Sequence, residues 1–409
     1  MVEPRVARGA RPIRVSTAAR SVDGQVELGE SGSPPRRVIA ITGAGGMTGP
    51  ARQLAALAAA ARNHGVDFRV LLLIRSGMPP SVFAEHLAAL DVPFRYIDDD
   101  GPLDRALPGR MRRALDELRP DVVQTHGYKA TAVMWWLRRA PAPWAWVGCF
   151  HGTTHETLRA RLYHRLDHAM LRRADVVIAM SRLQAAALER LGARVRVVHN
   201  AVVPLAAPAG AAERAGLEAG IARLPRPRAA VIGRLSPEKG VDVLLAACAE
   251  LRSHDAPPFS MLVVGDGPER EALHAQARAL GIADTVSFLG DVRAMDVVYA
   301  NADLVVIPSR SEGLPNVLLE ALAADIPIVA TRVGAVPDVL VEQAAGRLVP
   351  PASASALATA IRDALASLDD TEARAARQRA AQRFSLVHRV EAHLRIYREA
   401  IALHGAVPS

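Results

Sequence analysis

From Val38 onward, short apolar runs alternate with amphipathic stretches, and this alternation restricts the fold more than any other feature of the chain. A strand buried on both faces reads as a near-continuous apolar run, whereas a covering helix repeats its apolar residues three and four apart. The runs at 38–42, 68–74, 94–97, 121–125, 144–149, 175–179 and 195–198 fit the first pattern, and the stretches 50–63, 104–118 and 157–173 fit the second. Repeated strand–helix units of this kind build a parallel sheet covered by helices. Residues 201–228 interrupt the pattern with Pro, Ala and Gly and read as a linker. A second series follows, with strands near 229–233, 260–264, 285–288, 303–307 and 327–330. Helices near 353–367, 371–383 and 385–404 close the chain. The expected fold class is α/β, with Rossmann-like domains at 37–200 and 229–384. Ligands of such sheets bind beyond the carboxyl ends of the strands, so two facing sheets would put an active site in a central cleft.

A chain of 409 residues has room for two such domains, and its 50% hydrophobic content can fill two cores. No apolar run approaches the ~20 residues of a membrane span. Residues 1–36 mix Arg, Gly, Ser, Pro and acids without an apolar segment, and read as a disordered tail, not a secretory signal. Cys149 and Cys248 lie in apolar surroundings in different halves, which suits a reduced, cytoplasmic compartment and not a disulfide framework. Residues 1–200 carry 29 basic against 18 acidic side chains, and residues 201–409 carry 21 against 24. The basic half suits an anionic membrane surface. Nucleic acid is not an expected partner, since no aromatic-interleaved basic motif or recognition helix is present. Trp135, Trp136, Trp144 and Trp146, beside Arg138 and Arg139, are expected to form a core cluster. Only Lys129 and Lys239 are lysines, against 48 arginines, and a site that needs a compact point charge is one reason to keep Lys at two places.

The densest motif runs Ser311-Glu312-Gly313-Leu314-Pro315-Asn316-Val317-Leu318-Leu319-Glu320. It follows the apolar run Leu304–Pro308 and turns through Gly313 and Pro315 into an apolar helix. Pro in the first turn of a helix loses no needed N–H, and backbone N–H groups near Gly313 and Leu314 would suit a phosphate or a sugar hydroxyl. Glu320 falls among Leu319, Ala321 and Leu322, where a carboxylate needs hydrogen-bond donors. A ribose diol would supply two.

This pair of glutamates, eight residues apart in the wording Glu-Gly-Leu-Pro-Asn-Val-Leu-Leu-Glu-Ala, resembles the signature of the group 1, or family 4, retaining glycosyltransferases of the GT-B fold. The resemblance covers about residues 37–405. It implies transfer of a sugar from a nucleotide-sugar donor to a glycan or lipid-linked acceptor, in bacterial polysaccharide, lipopolysaccharide or glycolipid synthesis at the inner face of the cytoplasmic membrane. It also implies that the last helix, 385–405, returns to the first domain. Gly233-Arg234-Leu235-Ser236-Pro237-Glu238-Lys239-Gly240 matches the family's Arg and Lys, two cations that can converge on the diphosphate leaving group. The resemblance makes His151 the active-site histidine that contacts the donor sugar, and Glu312 a catalytic residue beside it. Donor contacts are implied for Gly45 and Gly46, for Gly265, Asp266 and Val292 near the base, and for Gly313, Leu314, Pro315, Asn316 and Glu320. His126 and Lys129, after the preceding strand, are acceptor-side candidates. No metal or other cofactor is called for.

Asp98-Asp99-Asp100 is similar to the metal-holding Asp-x-Asp of GT-A transferases, but it precedes Gly101-Pro102 and reads as a surface turn. Ile41–Gly49 is similar to the nucleotide loop of extended short-chain dehydrogenases. Their Tyr, four residues before a Lys, is missing: Thr125 and Leu235 precede the two lysines by four. The second strand also ends in Arg75 and not in an acid for an NAD ribose. A non-catalytic nucleotide-sugar binder and a GT-B nucleotide-sugar 2-epimerase remain as alternatives.

Overall fold

The computed structural model describes residues 35–43, 45–78, 81–102, 104–151, 166–203, 210–253 and 258–406. Most of the expected tail (1–36), residues 157–165 of the expected helix 157–173, and 204–209 of the expected linker lie outside the described residues. The described residues divide into two units, one holding 35–203 together with Arg383 to the C-terminal helix, the other holding 210–382.

In the first unit, strands β1 (Arg37–Gly43), β2 (Asp67–Ile74), β3 (Phe94–Asp98), β4 (Val122–His126), β5 (Ala145–Phe150), β6 (Val176–Ala179) and β7 (Val195–Val197) form one sheet in the order β3-β2-β1-β4-β5-β6-β7. All neighbours run parallel. Successive β1 side chains enter opposite faces: Val38 and Ala40 join one core, Ile39 and Ile41 the other. That is why β1 reads as an unbroken apolar run. Helix Gly49–Arg62 opens with Pro50 in its first turn and with the Thr48 hydroxyl accepting from the Ala51 N–H at 3.3 Å.

The long C-terminal helix, Leu386–Gly405, is capped by the Ser385 hydroxyl, which accepts from the His388 N–H. It buries Arg389, Val390, His393, Ile396, Tyr397 and Ala400, a stripe at helical spacing. Val390, Ile396, Tyr397 and Ala400 belong to the core that also holds Leu54, Leu57 and Phe68, so this helix completes the first unit.

In the second unit, β8 (Arg228–Ile232), β9 (Ser260–Val264), β10 (Val286–Gly290), β11 (Leu304–Ile307), β12 (Ile328–Thr331) and β13 (Arg347–Val349) pair in parallel in the order β10-β9-β8-β11-β12-β13. Both sheets therefore reverse direction once, between β1 and β4 and between β8 and β11. Such switch points open a crevice at the strands' carboxyl ends.

Among the elements that escaped the sequence reading are a helix and an edge strand. Helix Ala211–Ala222 lies inside the expected linker; among its residues only Ile221 is buried, so no apolar stripe marks it. Its Arg214 holds Asp296 in an ion pair. Strand β13 has three residues at a sheet edge, too few for a period. Trp144 and Trp146 are fully buried, as the core reading requires, but Trp136 is 52% exposed. The Arg139 guanidinium lies over the Trp135 and Trp136 rings at 4.8 and 4.9 Å.

Candidate active site

The second unit gathers its chemistry at the β8/β11 switch point. Strand β8 runs into Gly233, whose φ of 151° lies in a region that L side chains seldom adopt. A short 3-10 turn, Pro237–Lys239, follows and ends on Gly240 at φ 65°. A Cβ at Gly240 would overlap the Pro308 carbonyl oxygen, so the two motif loops can meet only over a glycine. Arg310 locks them: its backbone N–H donates to the Glu238 carbonyl, and its guanidinium donates to the Pro237 carbonyl and to both Asp242 oxygens.

This geometry sets Lys239 Nζ 2.7 Å from Glu312 Oε1. The Ser309 hydroxyl donates to the same oxygen at 2.7 Å. Ser309 is buried, and the Thr331 hydroxyl donates to its carbonyl. Glu312 is 11% exposed and Lys239 28%. Among the described residues no partner meets Glu312 Oε2. Lys239, with three N–H donors, keeps donors beyond the one Glu312 uses. Arg234 is exposed and forms no ion pair among the described residues. Burial pushes the Glu238 carboxyl up, but the Ser236 hydroxyl and then the charges of Lys239 and Arg234 bring it below its ordinary value. Both cations thus act on one small volume.

Glu320 sits half-buried on helix Asn316–Ala323, with Pro315 in the capping position before it. Its Oε2 accepts the Tyr299 hydroxyl at 2.6 Å, a donor the sequence reading missed. Leu314 is buried, and the Gly313 carbonyl accepts the Ala335 N–H. Gly334, also missed, lies under the Glu312 backbone: a Cβ there would overlap the Glu312 carbonyl. Its position just after β12 was the available signal. Gly265 and Gly233 interlock in the same way, since a Gly265 Cβ would overlap the Gly233 carbonyl. Asp266 Oδ1 accepts the Gly267 N–H, and Oδ2 accepts from Arg270 at 2.5 Å. Val292 is half-buried in the loop after β10.

In the first unit, Gly45 and Gly46 form an exposed turn after β1, with open space where side chains would be. Across the β1/β4 switch point stand His126 and, beyond β5, His151. His126 Nδ1 lies 2.7 Å from His151 Nε2, and their rings stack at 5.0 Å between centroids. His126 Nε2 lies 2.7 Å from Gln124 Nε2, and Tyr397 donates its hydroxyl to Gln124 Oε1 at 2.5 Å. Arg389, buried in the same core, donates to the Gln53 carbonyl and to Gln53 Oε1. Lys129 pairs with Asp99 and lines a cavity of about 1160 Å³ with Arg75, Tyr128, Trp135, Arg172 and Arg173. Asp100 is held by the Ser76 hydroxyl and Arg110. The acidic run is thus tied up by neighbouring side chains, and no cluster of three metal-ligating side chains occurs among the described residues. Likewise, no helix among them is long and apolar enough to cross a membrane.

Burial, with the Arg389 charge, lowers His151 from 6.5 to about 4 and His393 to about 3. Burial and then the His151, Arg389 and His393 charges hold His126 well below its ordinary value. All three are neutral at pH 7. Between about 4 and 6.5 the unfolded chain binds protons that the folded chain refuses. Their contribution to stability is therefore complete above pH 6.5 and is lost as the pH falls through that window. Melting temperature should drop between pH 7.5 and pH 5, and His393→Gln should flatten that dependence. A melting curve unchanged across the window would refute the assignment of three buried neutral imidazoles.

The family profile "Glycosyl transferases group 1" matches residues 221–383, and "Glycosyl transferase 4-like domain" matches 48–206. A segment of 150 residues is 33% identical to the GDP-mannose-dependent alpha-(1-6)-phosphatidylinositol monomannoside mannosyltransferase of Mycolicibacterium smegmatis, covering 34% of this chain and 39% of that protein. Over 222 residues the chain is 33% identical to the D-inositol 3-phosphate glycosyltransferase of Mycolicibacterium gilvum, covering 52% of this chain and 48% of that one. The matches thus span less than half the length of these curated relatives. The crystal structure of Anabaena HepE in complex with UDP superimposes with a TM-score of 0.71 at 23% identity, covering 88% of this chain and 99% of that one.

Proposed function

Because the chain belongs to the group 1 glycosyltransferases and has their GT-B fold, we propose that it transfers a sugar, with retention of anomeric configuration, from a nucleotide-sugar donor to a glycan or lipid-linked acceptor. The observation that carries this reading is the Lys239–Glu312–Ser309 cluster at the β8/β11 switch point. It places a cation and an oriented carboxylate where a Rossmann-like sheet receives its ligand. As the bond between the anomeric carbon and the diphosphate breaks, negative charge grows on the leaving group. Arg234 and the spare Lys239 donors meet that charge, which makes them worth more in the transition state than before it. The acceptor oxygen then bonds to the same sugar face, and its proton passes to the departing phosphate. Glu320 takes the ribose diol, with Tyr299 fixing its other side. The UDP-bound HepE, the GDP-mannose-dependent phosphatidylinositol monomannoside mannosyltransferase and the D-inositol 3-phosphate glycosyltransferase favour a nucleotide-sugar donor and an anionic or lipid-borne acceptor. The cavity beside Lys129, with its arginines and aromatic rings, suits such an acceptor. Bacterial surface-glycan or glycolipid synthesis, with the basic first unit at an anionic membrane, fits the same reading.

A panel of UDP-, GDP- and ADP-sugars in a thermal-shift assay tests the donor class, since a ligand at 100 times its dissociation constant stabilises by about 2.7 kcal/mol. Transfer to an acceptor, undiminished by EDTA, then separates this enzyme from a binder and from a metal-assisted transferase; a donor that binds without transfer refutes the activity. Within the site, Glu320→Gln should weaken donor binding by about 1.5–3 kcal/mol, the range for hydrogen bonds to a charged group. Glu312→Gln should depress single-turnover rate more than binding. Equal, small effects at both positions would show that their roles are misassigned.

A further inference from the structure

A continuous line of hydrogen bonds joins the C-terminal helix to His151, and the chemistry of its members gives it a direction. Tyr397 on that helix reaches Gln124 Oε1 on β4 at 2.5 Å. An amide oxygen only accepts, so the tyrosine hydroxyl donates. The Gln124 amide nitrogen then faces His126 Nε2 at 2.7 Å. That nitrogen only donates, so His126 Nε2 carries a lone pair. A neutral imidazole with Nε2 bare holds its proton on Nδ1, and His126 Nδ1 lies 2.7 Å from His151 Nε2. His151 Nε2 must accept, which leaves the His151 proton on Nδ1. Each step follows only if both imidazoles are neutral. Burial and the Arg389 cation keep them so, while Cys149 and His393, the other titratable groups in that core, bring no negative charge at pH 7.

We infer that Tyr397 is a positioning residue that, through Gln124 and His126, fixes His151 as the tautomer protonated on Nδ1 and so presents a neutral hydrogen-bond donor at the carboxyl end of β5. Without this line, an imidazole is free to interchange its two neutral forms, and half of its orientation is unspecified. The final link, in which that donor meets an oxygen of the donor sugar, rests on the transferase reading; the tautomer does not.

The experiment uses the full chain labelled with 15N-histidine at pH 7, where two-bond proton–nitrogen correlations distinguish the tautomers. His151 is identified by the signal lost in His151→Gln. The native protein should show His151 protonated on Nδ1 alone. Tyr397→Phe keeps the ring and removes the donor, and should give a mixture of both tautomers. Gln124→Met, which removes the amide at similar volume, should do the same and serves if the first variant does not fold. Native His151 protonated on Nε2, or an unchanged His151 pattern in the folded variants, overturns the inference. Turnover of Tyr397→Phe should fall about tenfold, the low end for losing an orienting partner, while the donor KM changes less. A tautomer shift with full turnover would uphold the line and remove His151 from the transfer chemistry instead.

Discussion

Lys239→Ala should lower sugar-transfer turnover roughly 10²–10³-fold, as removal of one transition-state donor does elsewhere. The residue has two tasks. In the proposed mechanism it faces the leaving diphosphate, and in the structure it holds Glu312 Oε1 at 2.7 Å. The alanine variant leaves a mostly buried carboxylate with Ser309 as its remaining partner on that oxygen. Breaking one side of a buried pair costs about 3–5 kcal/mol, and an exposed pair about 0–1. Lys239, at 28% exposure, falls between these, so a loss of about 1–2 kcal/mol in stability should accompany the kinetic effect. Lys239→Arg should not restore the rate, because a planar fork cannot replace a point charge in that loop. Single-turnover rates beside melting curves decide the matter. Near-native transfer in a folded Lys239→Ala protein would remove the clamp from the mechanism.

Gly265→Ala should disturb the second unit more than a one-carbon change normally would. The new Cβ would overlap the Gly233 carbonyl, and Gly265 holds φ 127°. Backbone strain of this type costs about 1–3 kcal/mol, and overpacking costs about as much again. A fall in melting temperature of about 4–24 °C is the expected reading for a unit of this size. Donor binding should weaken as well, since relief of the overlap moves the Gly233 loop that carries Arg234. Gly45→Ala, where no atom lies within 4 Å, is the control and should melt with the native protein. Equal melting of the two variants would refute the interlocked-loop account.

All the strands but β13 were legible because parallel strands covered on both faces are mostly apolar, as in Ala145–Phe150, buried along its whole length. The two sequence motifs could be read separately, but not their junction: the Lys239–Glu312 bond spans 73 residues. Tyr299 was illegible for the same reason, an ordinary residue made significant by Glu320 on another helix, 21 residues away. Tyr397 is the extreme case, 273 residues from the Gln124 it touches. The run Val390–Tyr397 announced an amphipathic helix but not the polar atoms that its buried face would carry. Helix Ala211–Ala222 stayed hidden because an exposed Ala- and Gly-rich segment has no stripe to detect.

The chain leaves the first unit after Val203 and re-enters it at Arg383. Just inside these two points the Val202 N–H donates to the Phe384 carbonyl at 2.8 Å, so departure and return are stitched side by side. In genetic terms the second unit is a cassette inserted at one seam of a discontinuous host. Exchanging it between relatives calls for two junctions, at 203/204 and 382/383, because a single crossover would strip the host of its last helix. A chimera cut at both seams should keep Tyr397 against Gln124 while taking its nucleotide preference from the insert.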